Sequence, residues 1–175
     1  MSTIEIQQKG ITDLDAEVIV NAANSQLREG SGVCGAIFST AGSYELTKAC
    51  SEIGGCPTGN AVITPGFDLN AKYIIHAVGP VWRGGDDHEE ELLYSAYEQS
   101  LILAKEHDCK SIGFPVISSG IYGYPKRQAW QVAIRACKDF ISENPDYTIT
   151  IIFAVISDRS REIGESVIEE IYFRD

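Results

Sequence analysis

A basic surplus, paired cysteines and long apolar runs are all missing from this chain of 175 residues. Lysine and arginine number 14 against 25 aspartates and glutamates, a formal net charge of -11. Broad contact with a nucleic-acid backbone needs a basic face, so no nucleic-acid partner is expected. A small anionic ligand stays open, because backbone amides bind phosphate locally whatever the overall field. The five cysteines, Cys34, Cys50, Cys56, Cys109 and Cys137, contain no C-x-x-C pair, which argues against zinc, and no metal is expected. An odd, scattered set reads as reduced thiols in a cytoplasmic protein. Met1-Ser-Thr-Ile-Glu lacks the basic start and apolar stretch of a secretory signal. No run approaches the ~20 apolar residues that cross a bilayer, so no membrane partner is expected. Internal repeats, heptads and low-complexity stretches are missing too.

What is there is an ordinary globular composition, 44% hydrophobic and 22% charged. The length and the absence of a Pro/Gly/Ser-rich linker predict one domain over residues 1–175. The acidic run Asp86, Asp87, Glu89, Glu90 and Glu91 reads as a solvated surface segment.

Strand and helix patterns alternate. Thr3–Gln7, Glu17–Asn21, Asn60–Thr64, Lys72–Val78, Ser111–Ile117 and Thr148–Ile156 read as strands. Helices are expected to start around Ala36–Phe38, and to run from a Ser43 N-cap to Gly54-Gly55, over 89–106, over Gln128–Ile141 and over Glu162–Ile171. The alternation predicts an α/β domain with its sheet sandwiched between helices.

Two glycine-rich loops stand out, each after an apolar strand and before a helix. One runs from Asn21-Ala-Ala-Asn24 to Gly30-Ser-Gly-Val-Cys-Gly35; the other is Ser118-Ser-Gly-Ile-Tyr-Gly-Tyr-Pro125. Loops at the carboxyl ends of strands line the ligand crevice of an open α/β sheet. Glycine lets backbone come close to a ligand, and free amides at a helix N-terminus hold phosphate. Together they suggest a clamp on a long, phosphate-bearing ligand.

Asn21-Ala-Ala-Asn24, Gly32-Val33-x-Gly35-Ala36-Ile37, Gly59, Tyr73-Ile-Ile-His-Ala-Val-Gly-Pro80 and the second glycine loop, in this order along nearly the whole chain, resemble the macrodomain family. The nearest branch is the MacroD type, which binds ADP-ribose and hydrolyses its derivatives. The resemblance implies a three-layer α/β/α domain with a mixed, mostly parallel six-stranded sheet. It implies ADP-ribose or a derivative as ligand, ADP-ribosylated proteins as further partners, and no cofactor. Carried over by position, Asn24 touches the distal ribose. Gly32, Val33 and Gly35 line one wall of the diphosphate site, with Ala22 and Cys34 as further ligand-binding positions. Ser119, Gly120, Ile121 and Tyr122 form the other, with the Tyr122 ring near the distal ribose. Gly10, Ile11 and Ser157 fall at the adenine end.

The sequence departs from the family pattern in three places. Lys9-Gly10-Ile11-Thr12 stands where the branch reads Gly-Asp-Ile-Thr, so the carboxylate that accepts from the adenine amino group is missing and the Ile11 amide is left to reach the base. Ser157 stands where many members stack an aromatic on adenine; Arg159 and Phe153 are the substitutes considered. Cys34, ten residues after Asn24, replaces an Asp credited with activating water, and Phe38 replaces a common His. A neutral thiol is no carboxylate base, so Cys34 is either a small residue that fits beside the phosphates or a thiolate nucleophile. Asn24 and Cys34 are therefore the catalytic candidates.

Three functions follow: a hydrolase of ADP-ribose adducts that works without the acidic residue, a non-catalytic reader of free or protein-linked ADP-ribose, or a protein for a related nucleotide or phospho-sugar. Among single residues, Asn21 and His76 are expected to be buried hydrogen-bonders, and His88 and His107 to face solvent. Trp82 and Trp130 are expected to pack, and the other four cysteines to be structural.

Overall fold

A computed structural model describes residues 1–173. The six strands are β1 (Thr3–Gln8), β2 (Val18–Ala22), β3 (Ala61–Pro65), β4 (Tyr73–Ala77), β5 (Ser111–Phe114) and β6 (Thr150–Val155). They form one sheet in the order β1-β6-β5-β2-β4-β3. All pairings are parallel except β3 with β4, so the sheet is mixed and mostly parallel, with one antiparallel edge strand.

Alternation along the strands divides the core. Val18 and Val20 of β2, Ile75 of β4 and Ile151 and Phe153 of β6 face one side. Ile19, Ile74 and Ile152 face the other. The first side is covered by α3 (Glu89–Glu106), α4 (Lys126–Glu143) and α5 (Asp158–Phe173), through side chains such as Leu93, Tyr97, Trp130 and Val167. The second is covered by α1 (Gly32–Ala41) and α2 (Ser43–Ile53), through Ile37, Phe38 and Leu46. Three layers result. The first side centres on aromatic rings: Phe114 stacks on Phe153 at 5.5 Å, and Trp130 lies 5.1 Å from Phe153.

The connections place the crevice. After β2 the chain crosses to the α1 side of the sheet; after the neighbouring β5 it crosses to the α4 side. The two exits part over adjacent strands, which opens a crevice at their carboxyl ends.

Several boundaries differ from the sequence reading. α1 begins at Gly32, not near Ala36, so the last four residues of the first glycine loop are a helical first turn. Ser43 is the first residue of α2 and not its cap; Gly42, at φ 110°, holds the cap position, and Ser43 Oγ bonds Glu29 instead. The strand begun at Ser111 stops at Phe114, before Pro115.

Candidate functional site

The first loop leaves β2 with the Ala23 amide bonded to the Ala77 carbonyl at 2.9 Å. Asn24 then folds the loop on itself. Its Oδ1 accepts from the Arg28 amide at 3.0 Å, and its Nδ2 donates to the Arg28 carbonyl at 2.9 Å. An amide group has two donor hydrogens and two acceptor lone pairs, so one of each is still available to a ligand hydroxyl. Gly35 has a packing reason to be glycine: a Cβ there would lie 2.7 Å from the Gly30 carbonyl oxygen. Gly32, at φ 59°, starts α1 with open space where a side chain would stand. The amides of Gly32, Val33 and Cys34 form the first turn, where no carbonyl of the helix itself lies within reach. They are a ready anion site at the positive end of the helix.

The second loop leaves β5 and turns at Ser118, whose φ of 68° is rare outside glycine. Tyr124 donates back to the Ser118 carbonyl at 2.9 Å, and Gly123 to that of Gly120 at 3.0 Å. Ser119 bonds the Val116 carbonyl through its hydroxyl at 2.8 Å. The amides of Gly120, Ile121 and Tyr122 donate to no backbone carbonyl among the described residues. Ile121 is 87% exposed and Tyr122 half-buried. Gly79 permits this loop to close, since a Cβ there would fall 2.3 Å from Ser118 Oγ.

Under the first loop lies a buried polar chain. Asn21, 1% exposed, donates through Nδ2 to His76 Nδ1 at 3.1 Å and to Cys34 Sγ at 3.7 Å. His76 therefore carries its proton on Nε2, which faces Thr64 Oγ1 at 3.0 Å; Thr64 in turn donates to the Pro65 carbonyl. Burial holds His76 neutral, with its pKa lowered to about 4. Cys34 donates its thiol hydrogen to the Arg28 carbonyl at 3.7 Å. No histidine nitrogen approaches its sulfur: among the described residues His76 reaches Cys34 only through Asn21. Burial, and then the neighbouring Cys34, push the Cys50 thiol up to about 11. Phe38, where the family pattern has His, is buried with its ring 6.5 Å from that of His76.

The other end of the crevice is built from β1 and β6. Gly10 and Ile11 follow β1; Ile11 is buried, and a Cβ on Gly10 would meet Asp13 Oδ2 at 3.2 Å. Ser157 follows β6, and its hydroxyl accepts the Ser160 amide at 3.1 Å, capping α5. Phe153 is fully buried in the aromatic core and is withdrawn as a stacking surface. The exposed apolar residue at this end is Ile156, 85% accessible, one position before Ser157. From β1 to β2 is three strand spacings, about 14 Å. The crevice suits an elongated ligand, apolar-faced at one end and anionic near the middle.

The acidic segment is not solvated throughout. Glu89, at 1% exposure, turns inward. Its carboxylate accepts the amides of Arg83 at 2.8 Å, Gly85 at 3.0 Å and Asp87 at 2.6 Å. These bonds, led by that from Arg83, hold its pKa at about 2. The signal in the sequence was an acid in the first turn of a helix just after Gly84-Gly85. His88 and His107 are exposed, as expected, and Trp130 is fully buried. All five cysteines are unpaired and buried.

Comparison with known proteins bears on this geometry. The Macro domain family model matches residues 20–133. A macro domain-containing protein of Chlorobaculum tepidum is 48% identical over 158 residues, covering 90% of this chain and 91% of its own length. A Salmonella typhimurium protein named O-acetyl-ADP-ribose deacetylase is 51% identical over 145 residues, covering 81% of this chain and 80% of its own. The Oceanobacillus iheyensis macrodomain, solved with ADP, superposes with a TM-score of 0.91 at 38% identity, over 97% of this chain and 92% of that one. A variant of it was solved with ADPR.

Proposed function

The chain belongs to the Macro domain family, and from that premise we propose that it binds ADP-ribose or a derivative in the crevice between its two glycine loops and hydrolyses ADP-ribose adducts. One observation carries the binding: two sets of backbone amides without a partner among the described residues, at 32–34 and 120–122, flank the crevice between adjacent strands β2 and β5. A diphosphate fits between such donors without any basic side chain, which answers the net charge of -11. Adenine then extends toward Gly10, Ile11 and Ile156, and the distal ribose toward Asn24 and Tyr122. The O-acetyl-ADP-ribose deacetylase name of the Salmonella relative supports the same ligand.

For hydrolysis, Asn24 orients the ribose and a non-bridging diphosphate oxygen of the substrate takes a proton from a water held on the loop amides. The water oxygen bonds to the acetyl carbonyl carbon and the ester C–O bond breaks. The diphosphate oxygen passes its proton to the departing ribose oxygen, and ADP-ribose and acetate leave, the second proton of the water going to solvent. Removal of mono-ADP-ribose from protein follows the same plan at the anomeric carbon. Cys34 takes no part as nucleophile here: its thiol is buried, donates to a carbonyl and has no base against it. The five unpaired thiols fit a reducing compartment, and we place the activity in the cytoplasm.

A second reading, a non-catalytic reader of free or protein-linked ADP-ribose, is favoured by the same Cys34, which supplies no carboxylate base, and by the Asn24 amide already engaged with Arg28. Assay of the wild type on O-acetyl-ADP-ribose and on mono-ADP-ribosylated protein decides between the two. Turnover of either substrate supports the hydrolase; binding with no turnover of both supports the reader.

A further inference from the structure

We propose that Glu89 is a positioning residue for the second glycine loop, acting through Trp82 and without touching the ligand; the inference rests on the crevice assigned above. Four contacts connect them. The carboxylate gathers the amides of Arg83, Gly85 and Asp87, which fixes the 83–87 loop as one turn around a single buried group. Gly85, at φ 94°, is pressed on the Trp82 indole so closely that a Cβ would lie 3.0 Å from its ring. The indole lies 4.7 Å from the Tyr124 ring, the residue that closes the glycine loop on Ser118. Finally, the Trp82 amide donates to the Tyr122 carbonyl at 2.8 Å.

The last bond is the useful one. A peptide whose carbonyl is held outward by Trp82 has its neighbouring amides set in direction, and 120–122 are the amides assigned to the diphosphate. Preorganised donors bind an anion without the ordering cost that a loose glycine loop carries. Glycines at 120 and 123 leave this segment little stiffness of its own. Glu89 supplies it from outside: a carboxylate accepting three amides gives stronger bonds than neutral acceptors do. Burial, then the carboxylates of Glu90 and Glu89, push the Tyr124 hydroxyl up to about 12.

The test pairs amide hydrogen exchange with calorimetry on the full chain. In Glu89→Gln, the bonded amides of Trp82, Gly123 and Tyr124 are expected to exchange about tenfold faster while those of β5 are unchanged, and ADP-ribose affinity is expected to fall about tenfold. Gly85→Ala, which pushes a methyl onto the indole, applies the same disturbance should Glu89→Gln fail to fold. Phe140→Leu, a core change near Tyr147 beyond the amino-terminal ends of the strands, is the control. It is expected to lower Tm with no selective change at Trp82, Gly123 and Tyr124. Exchange at those three amides equal to wild type in both loop variants overturns the proposal. If the wild type binds no ADP-ribose, the functional reading fails separately, and the exchange result still decides the role of Glu89.

Discussion

Asn21 Nδ2 lies 3.1 Å from His76 Nδ1, and the contact keeps a neutral imidazole as the floor of the first glycine loop. The same nitrogen reaches Cys34 Sγ at 3.7 Å, so one amide ties the end of β2, the middle of β4 and the first turn of α1 together. Removing either partner strands a buried polar atom, a loss of about 1–3 kcal/mol.

The burial of His76 makes stability depend on pH. The folded-state pKa of His76 is about 4, below the ordinary value of 6.5. Between those values the unfolded chain binds the proton and the folded one does not, so stability is full above pH 6.5 and declines as pH falls toward 4, by about 3 kcal/mol. Glu89 adds a loss below pH 4.5, because its folded pKa is about 2 and the unfolded carboxyl protonates first. Urea unfolding at pH 7 and pH 4.5 measures the first effect. His76→Gln is expected to flatten it; an unchanged slope would contradict the assignment to His76.

Gly35→Ala is predicted to weaken both fold and binding. The added methyl would stand 2.7 Å from the Gly30 carbonyl oxygen, a backbone atom that moves only if the loop moves. A cost of about 1–3 kcal/mol in chemical denaturation is expected, with a lower affinity for ADP-ribose. Wild-type stability with wild-type affinity would show that the loop is not held by this close approach.

The fold was legible in the sequence because strand periods, glycine punctuation and the turn at Gly54 follow local rules that the packed structure keeps. Asn21 was legible as a structural hydrogen-bonder and His76 as a buried one for the same reason, since both lie in apolar strands, but their pairing was not. Glu89 was not, since its burial depends on three amides from a loop that has no pattern. Nor was the start of α1 at Gly32. A glycine is a poor helix former, yet here an open left-handed start is what leaves the first amides unobstructed. Ile156 and Ser157 differ by one step at a strand end, where the first leaves an exposed apolar side chain and the second caps the next helix.

Ile156 is expected to set the contact with the adenine ring. Ile156→Tyr should strengthen ADP-ribose binding by about 1 kcal/mol through base–aromatic stacking, and Ile156→Ser should weaken it. Neither should change binding of ribose phosphate, which lacks the base. Fold stability should stay within about 0.5 kcal/mol, because the side chain is 85% exposed. Comparative calorimetry checks this, and equal effects on both ligands would move adenine elsewhere.

Cys34→Ser and Cys34→Asp separate packing from chemistry. The serine variant should bind and turn over as the wild type does, since a hydroxyl can replace the thiol both as donor to the Arg28 carbonyl and as acceptor from Asn21 Nδ2. The aspartate variant should hydrolyse O-acetyl-ADP-ribose at least about tenfold faster, because a positioned carboxylate base adds to what the diphosphate supplies. Loss of turnover in Cys34→Ser, at unchanged affinity, would instead make the sulfur a participant.

Calorimetric titration of ADP-ribose into the wild type and into Asn24→Ala tests the assignment of the crevice between 32–34 and 120–122 as an ADP-ribose site. Saturable one-to-one binding by the wild type is expected, weakened about tenfold when both the ribose contact and the Arg28 clasp of Asn24 are removed. A wild type that binds no ADP-ribose would contradict it, leaving the fold in place and the function withdrawn.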